Sequence, residues 1–255
     1  MTSKKILITG SNGLLGQKLV YRLLNEPNIK IVATSKGPNR LIKQDGYIYQ
    51  SLDITNQESV DIVIDRFKPD VVINTAAMTN VDACETEVEL CRKMNVDAVQ
   101  YLAIALKRQH NNPQLIHLST DFIFDGHNGP YRETDIPYPP KSIYSESKFV
   151  SEKVVKDSGI RWTIIRTVLV YGVVDNMSRS NIVLWAKDSL TANKKINVVD
   201  DQFRSPTLAE DLAEGCVLAA LQGATGIYHI SGKDFMSVLE MVQRIADYWH
   251  LDKSL

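Results

Sequence analysis

The stretch KKILITGSNGLLG, residues 4–16, decides the fold of this chain. A β-branched run, Lys5–Thr9, leads directly into a turn that carries Gly10, Gly13 and Gly16, and an amphipathic stretch follows. Glycines permit a sharp change from sheet to helix and let the backbone approach a pyrophosphate, which the free N–H groups of the helix start would face. In this context the turn predicts dinucleotide binding rather than an ordinary strand-to-helix connection.

The same alternation of short β-branched runs and longer amphipathic stretches continues through two thirds of the chain. It predicts an α/β fold, a Rossmann-type doubly wound parallel sheet built from βαβ units. Strands are predicted at Lys5–Thr9, Ile29–Thr34, Tyr47–Gln50, Val71–Asn74, Gln114–Leu118 and Trp162–Arg166. Helices are predicted at Leu14–Leu24, Gln57–Phe67, Val88–Lys107 and Ser145–Lys156.

Beyond Tyr171 the alternation loosens, which predicts a small C-terminal lobe. Helices are expected at Ile182–Leu190, Leu208–Leu221 and Met236–Trp249, and strands at Ile196–Val199 and Gly226–Ile230. We therefore expect residues 1–170, with part of the C-terminal region, to form an NADP-binding Rossmann domain. Residues 171–255 would mainly form a substrate-binding lobe.

Composition narrows the classes of partner. The 29 lysines and arginines nearly balance the 30 aspartates and glutamates, so no overall field favours nucleic acid or a membrane surface. The apolar run at the start is too short for a secretory signal, and no stretch approaches the roughly 20 apolar residues of a membrane span. A cytoplasmic location is the default expectation. The three scattered cysteines predict no disulfide framework, and no metal site is predicted.

The end of the second predicted strand indicates which dinucleotide binds. An NAD site usually has a carboxylate there for the ribose 2′-hydroxyl, whereas this chain reads VATSKGPNR. Ser35, Lys36 and Arg40 would instead hold a 2′-phosphate, so NADP(H) is predicted to be preferred over NAD(H). Asp53 would accept a hydrogen bond from the adenine amino group, and Ile54 follows it. The alternative for Lys36 and Arg40 is a solvated basic loop.

Tyr144 and Lys148, in YSESK, suggest reductive chemistry. Their spacing of four places both side chains on one helix face, where an ammonium would lower the pKa of the phenol. Tyr144 would protonate a carbonyl oxygen as hydride arrives, and Lys148 would also hold the nicotinamide ribose. Because YxxxK arises by chance on helices, its position matters: Ser119 and Thr120 end the fifth predicted strand, at the sheet edge where active sites lie. The cofactor-binding residues predicted so far are Gly10, Ser11, Asn12, Gly13, Leu14, Leu15, Gly16, Ser35, Lys36, Arg40, Asp53, Ile54, Tyr144 and Lys148.

Six motifs occur in an order that resembles the extended short-chain dehydrogenase/reductase family over nearly the whole chain. They are GSNGLLG (10–16), NTAAMT (74–79), STDFIFDG (119–126), YSESK (144–148), RTVLVYG (166–172) and VVDDQFRSPT (198–207). The third and last resemble the dTDP-4-dehydrorhamnose reductase branch in particular.

The resemblance implies roles for further residues. Asn74, Ala76 and Ala77 would line the cofactor, and Asn95 would support a proton relay to the lysine. Thr120, Tyr144 and Lys148 match the catalytic positions. Gln202, Arg204 and Thr207 fall in a segment that borders the substrate, while Asp121 and Asp125 are expected to brace their loop.

The implied activity is NADPH-dependent reduction of a 4-keto group on a nucleotide-linked deoxysugar, in a homodimer. Two departures from the family leave the identity of the sugar and the construction of the C-terminal lobe undecided. Leu169 stands where the branch typically has tryptophan, and the family continues beyond the last helix whereas this sequence stops at Leu255. Two other functions stay open. One is a non-catalytic regulatory subunit that keeps cofactor binding, and the other is a nucleotide-sugar epimerase or dehydratase.

Overall fold

A seven-stranded parallel sheet forms the centre of the protein. The computed structural model describes residues 3–177 and 179–255. The strands of this sheet are β1 (Lys4–Thr9), β2 (Ile29–Ser35), β3 (Ile48–Ser51), β4 (Val71–Asn74), β5 (Gln114–Thr120), β6 (Arg161–Thr167) and β10 (Gly226–Ile230). They lie in the order β10-β6-β5-β4-β1-β2-β3, and neighbouring strands are all parallel. The predicted α/β class and doubly wound sheet are confirmed.

Helices cover both faces of this sheet. They are α1 (Leu14–Leu23), α2 (Gln57–Phe67), α5 (Ala98–Lys107), α6 (Ile143–Asp157) and α8 (Ala209–Gln222). Side chains of a strand alternate between faces, so Ile6 and Ile8 pack under α1 and α8 while Leu7 packs under α2, α5 and α6. Both apolar layers are fully buried at these positions, which accounts for the continuous apolar sequence of the strand.

Side-chain caps fix where two of these helices begin. The Asn56 side chain accepts from the Ser59 N–H at 2.8 Å at the start of α2, and the helix ends at Lys68 in the left-handed conformation before Pro69. At α6, Ser142 and Ser145 form a reciprocal capping box, which starts the helix two residues earlier than predicted. Tyr144 consequently lies in the first turn of α6.

The segment between β4 and β5 differs from the prediction of one helix over Val88–Lys107. It forms α3 (Val81–Thr86), α4 (Val88–Arg92), a π-helical turn (Lys93–Asp97) and α5. The π turn widens the helix at Asn95, whose buried side chain is drawn to the Met78 backbone. Apolar periodicity continues across such a turn, so the sequence alone predicts a regular helix there.

The remaining elements form the C-terminal lobe. They are β7 (Val170–Tyr171), α7 (Ile182–Thr191), β8 (Phe203–Arg204), β9 (Thr207–Leu208), β11 (Met236–Ser237) and α9 (Val238–Trp249). Helices α7 and α9 enclose a separate apolar cluster. The predicted strand Ile196–Val199 is wrong: Ile196 and Val198 pack on that cluster in irregular backbone, and the Ile196 N–H donates to the Leu255 carbonyl at 2.9 Å.

The lobe segment is not separate from the sheet throughout its length. Helix α8 packs on α1, and β10 extends the sheet beyond β6. Among the helices of residues 3–177 and 179–255, none is long and apolar enough to cross a membrane.

Candidate active site

The turn after β1 has the geometry of a phosphate cradle. Gly10 has φ +69°, and a Cβ there would meet the Ala76 N atom at 2.8 Å. A side chain is excluded at Gly16 for another reason, because a Cβ there would lie 2.2 Å from the Gly10 carbonyl oxygen. Helix α1 can therefore approach the turn closely only with glycine at this position.

The chemical groups left open at this turn fit an anionic cofactor. Gly13 is the N-cap of α1 and provides no side-chain cap, so N–H groups of Leu14, Leu15 and Gly16 face outward from the helix start. The buried Ser11 hydroxyl has no hydrogen-bond partner within residues 3–177 and 179–255. The turn thus has donors for a pyrophosphate.

The loop after β2 is fastened to this turn. The Asn12 side chain donates to the Pro38 carbonyl at 2.8 Å and accepts from the Arg40 N–H at 3.0 Å. The Arg40 side chain is exposed, and the Lys36 ammonium forms an ion pair with Asp53 at 2.8 Å. Ser35 ends β2, and the predicted 2′-phosphate site therefore has its cations on a loop that Asn12 holds in place.

Asp53 is a charged acceptor beside this loop. Burial would raise the pKa of its carboxyl, but hydrogen bonds from Lys36 and Thr55 outweigh burial and hold the pKa at about 2. Ile54 beside it is buried. The carboxylate is therefore ionised at neutral pH, and its predicted contact with adenine stays a prediction.

Thr120 lies at the carboxyl end of β5 and is buried. Its hydroxyl donates to Asp121 Oδ1 at 3.1 Å and accepts from the Phe122 N–H at 3.2 Å. Asp121 also forms an ion pair with Arg204. Burial raises the pKa of Asp121, while Arg204 and Thr120 oppose that rise. Asp121 therefore links the Thr120 hydroxyl to the segment that contains Arg204.

Tyr144 is buried in the first turn of α6, next to Thr120. Its pKa is raised above the usual value by desolvation, which the Thr120 hydroxyl only partly offsets. The direction is opposite to the lowering expected from Lys148, because that ammonium is bonded elsewhere and burial dominates. A raised pKa keeps the phenol protonated at neutral pH, as a proton donor requires.

Lys148 is buried under the carboxyl edge of β5. Its Nζ donates to the Leu118 carbonyl at 2.6 Å and lies 3.4 Å from His117 Nε2. Desolvation lowers the pKa of the ammonium to about 8, although the charge of Glu152 opposes this change. The ammonium is thus poised to lose its proton close to neutral pH.

Asn95 lies on the π-helical turn, with its side chain fully engaged. It accepts from the Met78 N–H at 2.8 Å and donates to the Met78 carbonyl and the Ser147 hydroxyl, both at 2.9 Å. This arrangement ties the loop after β4 to α6. A relay from Asn95 to Lys148 stays a prediction.

The residues after β4 stand between the glycine turn and the catalytic helix. Asn74 is buried, with its side chain between Thr9 and His117, whereas Ala76 and Ala77 are partly exposed along the cleft. Their role as cofactor-lining residues stays a prediction. Asn74 is engaged by the protein through both ends of its amide.

The predicted substrate segment meets the loop after β5 through Arg204. Arg204 contacts Asp121, and its Nη2 donates to Gln202 Oε1 at 3.2 Å. Thr207 is buried, and its hydroxyl donates to the Val168 carbonyl at 2.7 Å. Leu169 has φ +41° and packs on the lobe cluster. Arg204 and Gln202 are thus accessible to a ligand, while Thr207 fastens the backbone.

Phe122 and His117 are the site residues that sequence reasoning did not single out. The Arg204 guanidinium lies 4.7 Å from the centre of the Phe122 ring, and that ring meets Tyr144 edge-on at 6.0 Å. Phe122 follows the catalytic threonine by two residues, which was the available signal. His117 stands on β5 next to the carbonyl that binds Lys148.

A known protein family matches nearly the whole of this chain. The family model described as RmlD substrate binding domain matches residues 4–255. The chain belongs to the RmlD family. The match includes both the sheet and the C-terminal lobe, so the site lies wholly within the matched region.

Two RmlD-family relatives are reductases by name. A dTDP-4-dehydrorhamnose reductase from Aggregatibacter actinomycetemcomitans is 34% identical over 95% of this chain and 78% of its own length. The structure of dTDP-4-dehydrorhamnose reductase from Bacillus anthracis, in complex with NADP, has a TM-score of 0.83 and 30% identity over 99% of this chain and 82% of that one. The predicted family is confirmed by these matches. The two relatives have the names of the predicted oxidoreductase class, and one of them was solved with NADP bound.

Another relative has a different name. Methionine adenosyltransferase 2 subunit beta from Bos taurus is 30% identical over 99% of this chain and 74% of its own length. The relatives of this chain therefore include a protein named as a subunit as well as proteins named as reductases.

Proposed function

We propose that this protein is an NADPH-dependent reductase of a 4-keto nucleotide-deoxysugar. The observation that carries the proposal is the meeting of Tyr144, Thr120 and Lys148 at the carboxyl edge of the sheet, beside the glycine turn. The two relatives named as reductases support it. In this chain the motif with Tyr144 and Lys148 also has the place among the six motifs that the family resemblance implies. NADPH, when bound, supplies the hydride.

The side chains divide the remaining work. Thr120 gives its hydroxyl hydrogen to Asp121, so the hydrogen that can reach a substrate carbonyl is that of Tyr144. Burial keeps this phenol protonated until charge develops on the carbonyl oxygen. The positive charge of Lys148, one helical turn further along α6, would then favour the developing phenolate, and Asn95 keeps α6 in register with the loop after β4.

A panel of nucleotide-linked 4-ketosugars tests the proposal, with NADPH loss followed by absorbance. At least one ketosugar should be reduced, and Tyr144→Phe should lower kcat on it about 10²- to 10⁴-fold because the proton donor is removed. Tyr248→Phe is the matched control, since Tyr248 is exposed on α9. Full turnover by Tyr144→Phe would show that another group donates the proton.

The Bos taurus relative favours a second candidate, a regulatory subunit that binds NADP(H). The intact Tyr144 and Lys148 weigh for the reductase. A pull-down from the source cells, paired with the ketosugar assay, separates the two functions. A stoichiometric partner enzyme together with no NADPH loss on any ketosugar would favour the subunit.

We also propose that the protein is cytoplasmic, which is the default expectation from its sequence, and that it acts as a homodimer, as the family resemblance implies. Light scattering on the purified chain measures the assembly directly. A mass of twice 28.6 kDa would support the dimer.

A further inference from the structure

A continuous set of buried polar side chains runs from the glycine turn to Lys148. It crosses the carboxyl edge of the sheet through Thr9 on β1, Asn74 on β4, His117 on β5 and Ser151 on α6, and all four are buried. Buried polar groups are retained at such positions when each has a partner. This network contacts Lys148 but is not used in the proton transfer described above.

The donors and acceptors of this network are all satisfied when the hydrogen bonds are donated in one direction, from the glycine turn towards α6. The Ala76 N–H donates to Thr9 Oγ1 at 3.4 Å, and the Thr9 hydroxyl donates to Asn74 Oδ1 at 2.6 Å. The amide nitrogen of Asn74 therefore faces His117 Nδ1, at 3.2 Å, and must donate to it. In the part of the chain that the structure describes, a flipped Asn74 amide would leave the hydrogen of the Thr9 hydroxyl without an acceptor.

The far side of the imidazole agrees with this direction. The Ser151 hydroxyl donates to the Lys148 carbonyl at 2.7 Å, so its oxygen is free to accept from His117 Nε2 at 3.0 Å. The hydrogen bond at Nδ1 thus fixes the tautomer with the proton on Nε2. Burial, and then the charge of Lys148, hold the pKa of His117 well below its usual value, which keeps the ring neutral.

This tautomer decides where the ammonium hydrogens of Lys148 can point. Nε2 lies 3.4 Å from Nζ, but a protonated Nε2 is not an acceptor. One ammonium hydrogen goes to the Leu118 carbonyl at 2.6 Å. Glu152, the carboxylate on the same helix, is instead bound to Arg166 on β6 at 2.9 and 3.0 Å.

We propose that His117 is a positioning residue for Lys148: as the Nε2–H tautomer it does not accept from the ammonium, so two of the ammonium hydrogens have no acceptor among the described residues and stay available to a bound cofactor. This rests on the proposed function, because it takes Lys148 to bind the cofactor's ribose. Asn74 then acts through His117, which connects the glycine turn to the catalytic lysine by side-chain hydrogen bonds.

Nitrogen NMR of the cofactor-free protein with ¹⁵N-histidine tests the tautomer without any assay of activity. The chain has five histidines, and the spectrum of His117→Gln identifies the signals that are lost. We expect an unprotonated Nδ1 and a protonated Nε2 at pH 7. A proton on Nδ1 would overturn the proposal, since Nε2 would then accept from Lys148.

Two matched variants test the consequence for the reaction. A glutamine amide can place an N–H near the position of Nε2, whereas an asparagine amide reaches only as far as Nδ1. His117→Gln should keep kcat within about threefold, and His117→Asn should lower it about 10- to 100-fold through misplacement of the ammonium. Thermal unfolding checks that both variants fold.

The outcomes separate this proposal from the proposed function. Equal kcat in the two folded variants would show that the imidazole only fills space, and the positioning role would fall. If the parent protein reduces no ketosugar, the proposed function fails while the NMR result still decides the tautomer. If His117→Asn does not fold, the NMR measurement alone supports or overturns the assignment.

Discussion

At the scale of single residues, the burial of Lys148 predicts a pH dependence. Its pKa is lowered to about 8, so the ammonium is present below that pH and is lost as pH rises through it. If the reaction requires the ammonium, kcat/KM in the free enzyme should fall about tenfold per pH unit above about 8. A pH profile of kcat/KM measures this limb directly.

Lys148→Arg provides the control for that profile. A guanidinium remains charged over the whole pH range, so the fall in kcat/KM should begin at a higher pH even though overall activity is lower. A limb that stays near pH 8 in Lys148→Arg would assign the ionisation to another group.

Lys36 and Arg40 carry a prediction about cofactor choice. Their loss should weaken binding of the 2′-phosphate and leave the rest of the dinucleotide unaffected. We expect Lys36→Ala with Arg40→Ala to raise KM for NADPH about 10- to 100-fold, the value of one or two charge-assisted hydrogen bonds. KM for NADH should change little.

Lys43→Ala is the matched control for this pair, because Lys43 is an exposed lysine of the same loop. Equal loss of NADPH and NADH binding in the double variant would contradict a phosphate contact. It would favour a role for the loop as a whole.

At the scale of elements, the contact between α1 and the glycine turn predicts that a glycine-to-alanine substitution in the helix changes the stability of the protein in the direction opposite to the usual one. Alanine in a helix is ordinarily about 1 kcal/mol more favourable than glycine. Gly16→Ala should nevertheless destabilise the protein, since its Cβ would lie 2.2 Å from the Gly10 carbonyl oxygen. Urea unfolding should show a lower free energy of unfolding and a weaker response to NADPH.

Gly13→Ala is the graded comparison. A Cβ at Gly13 would lie 3.2 Å from the same oxygen, a distance that a small shift relieves. If Gly16→Ala were as stable as the parent, the close approach of α1 to the turn would not be required for the fold.

The sequence predicted the sheet better than the helices that pack near the site. Runs such as Val71–Asn74 are apolar on both faces, which identifies a buried parallel strand directly. The π-helical turn at Asn95 depends on partners far along the chain, Met78 and Ser147, and no local pattern marks it. Likewise, the irregular backbone at Ile196 alternates like a strand but has no neighbouring strand to pair with.

The candidate site was predicted in part for the same reason. Tyr144 and Lys148 have a fixed spacing on one helix, so local sequence identifies them. The engagement of Thr120 with Asp121 and of Arg204 with the same carboxylate joins distant segments. Only the folded chain brings those three together, and the boundary of the two regions near residue 170 remains a prediction.

At the scale of the whole molecule, Asp175 and Asn176 join the lobe segment to the loop after β2 that carries Arg40. Asp175 accepts from the Ile42 N–H at 3.0 Å and from the Tyr21 hydroxyl, and Asn176 donates to the Arg40 carbonyl at 2.9 Å. Asp175→Ala should release the loop that carries Arg40 and raise KM for NADPH about tenfold. Steady-state kinetics with varied NADPH measures the change.

Asp252→Ala is the control for this variant, because Asp252 lies in the lobe and bonds to Ser254. An unchanged KM for NADPH in Asp175→Ala would show that Asn12 and Asn176 hold the loop without Asp175.

The packing of α8 on α1 and the pairing of β10 with β6 also determine how late in synthesis the core can close. The apolar face of α1 leaves the ribosome after Leu23, but its cover is complete only when Ile230 has followed. At typical elongation rates that interval is about 10 to 40 s. The nascent chain therefore exposes the apolar face of α1 for many seconds, during which a chaperone at the ribosome could bind it.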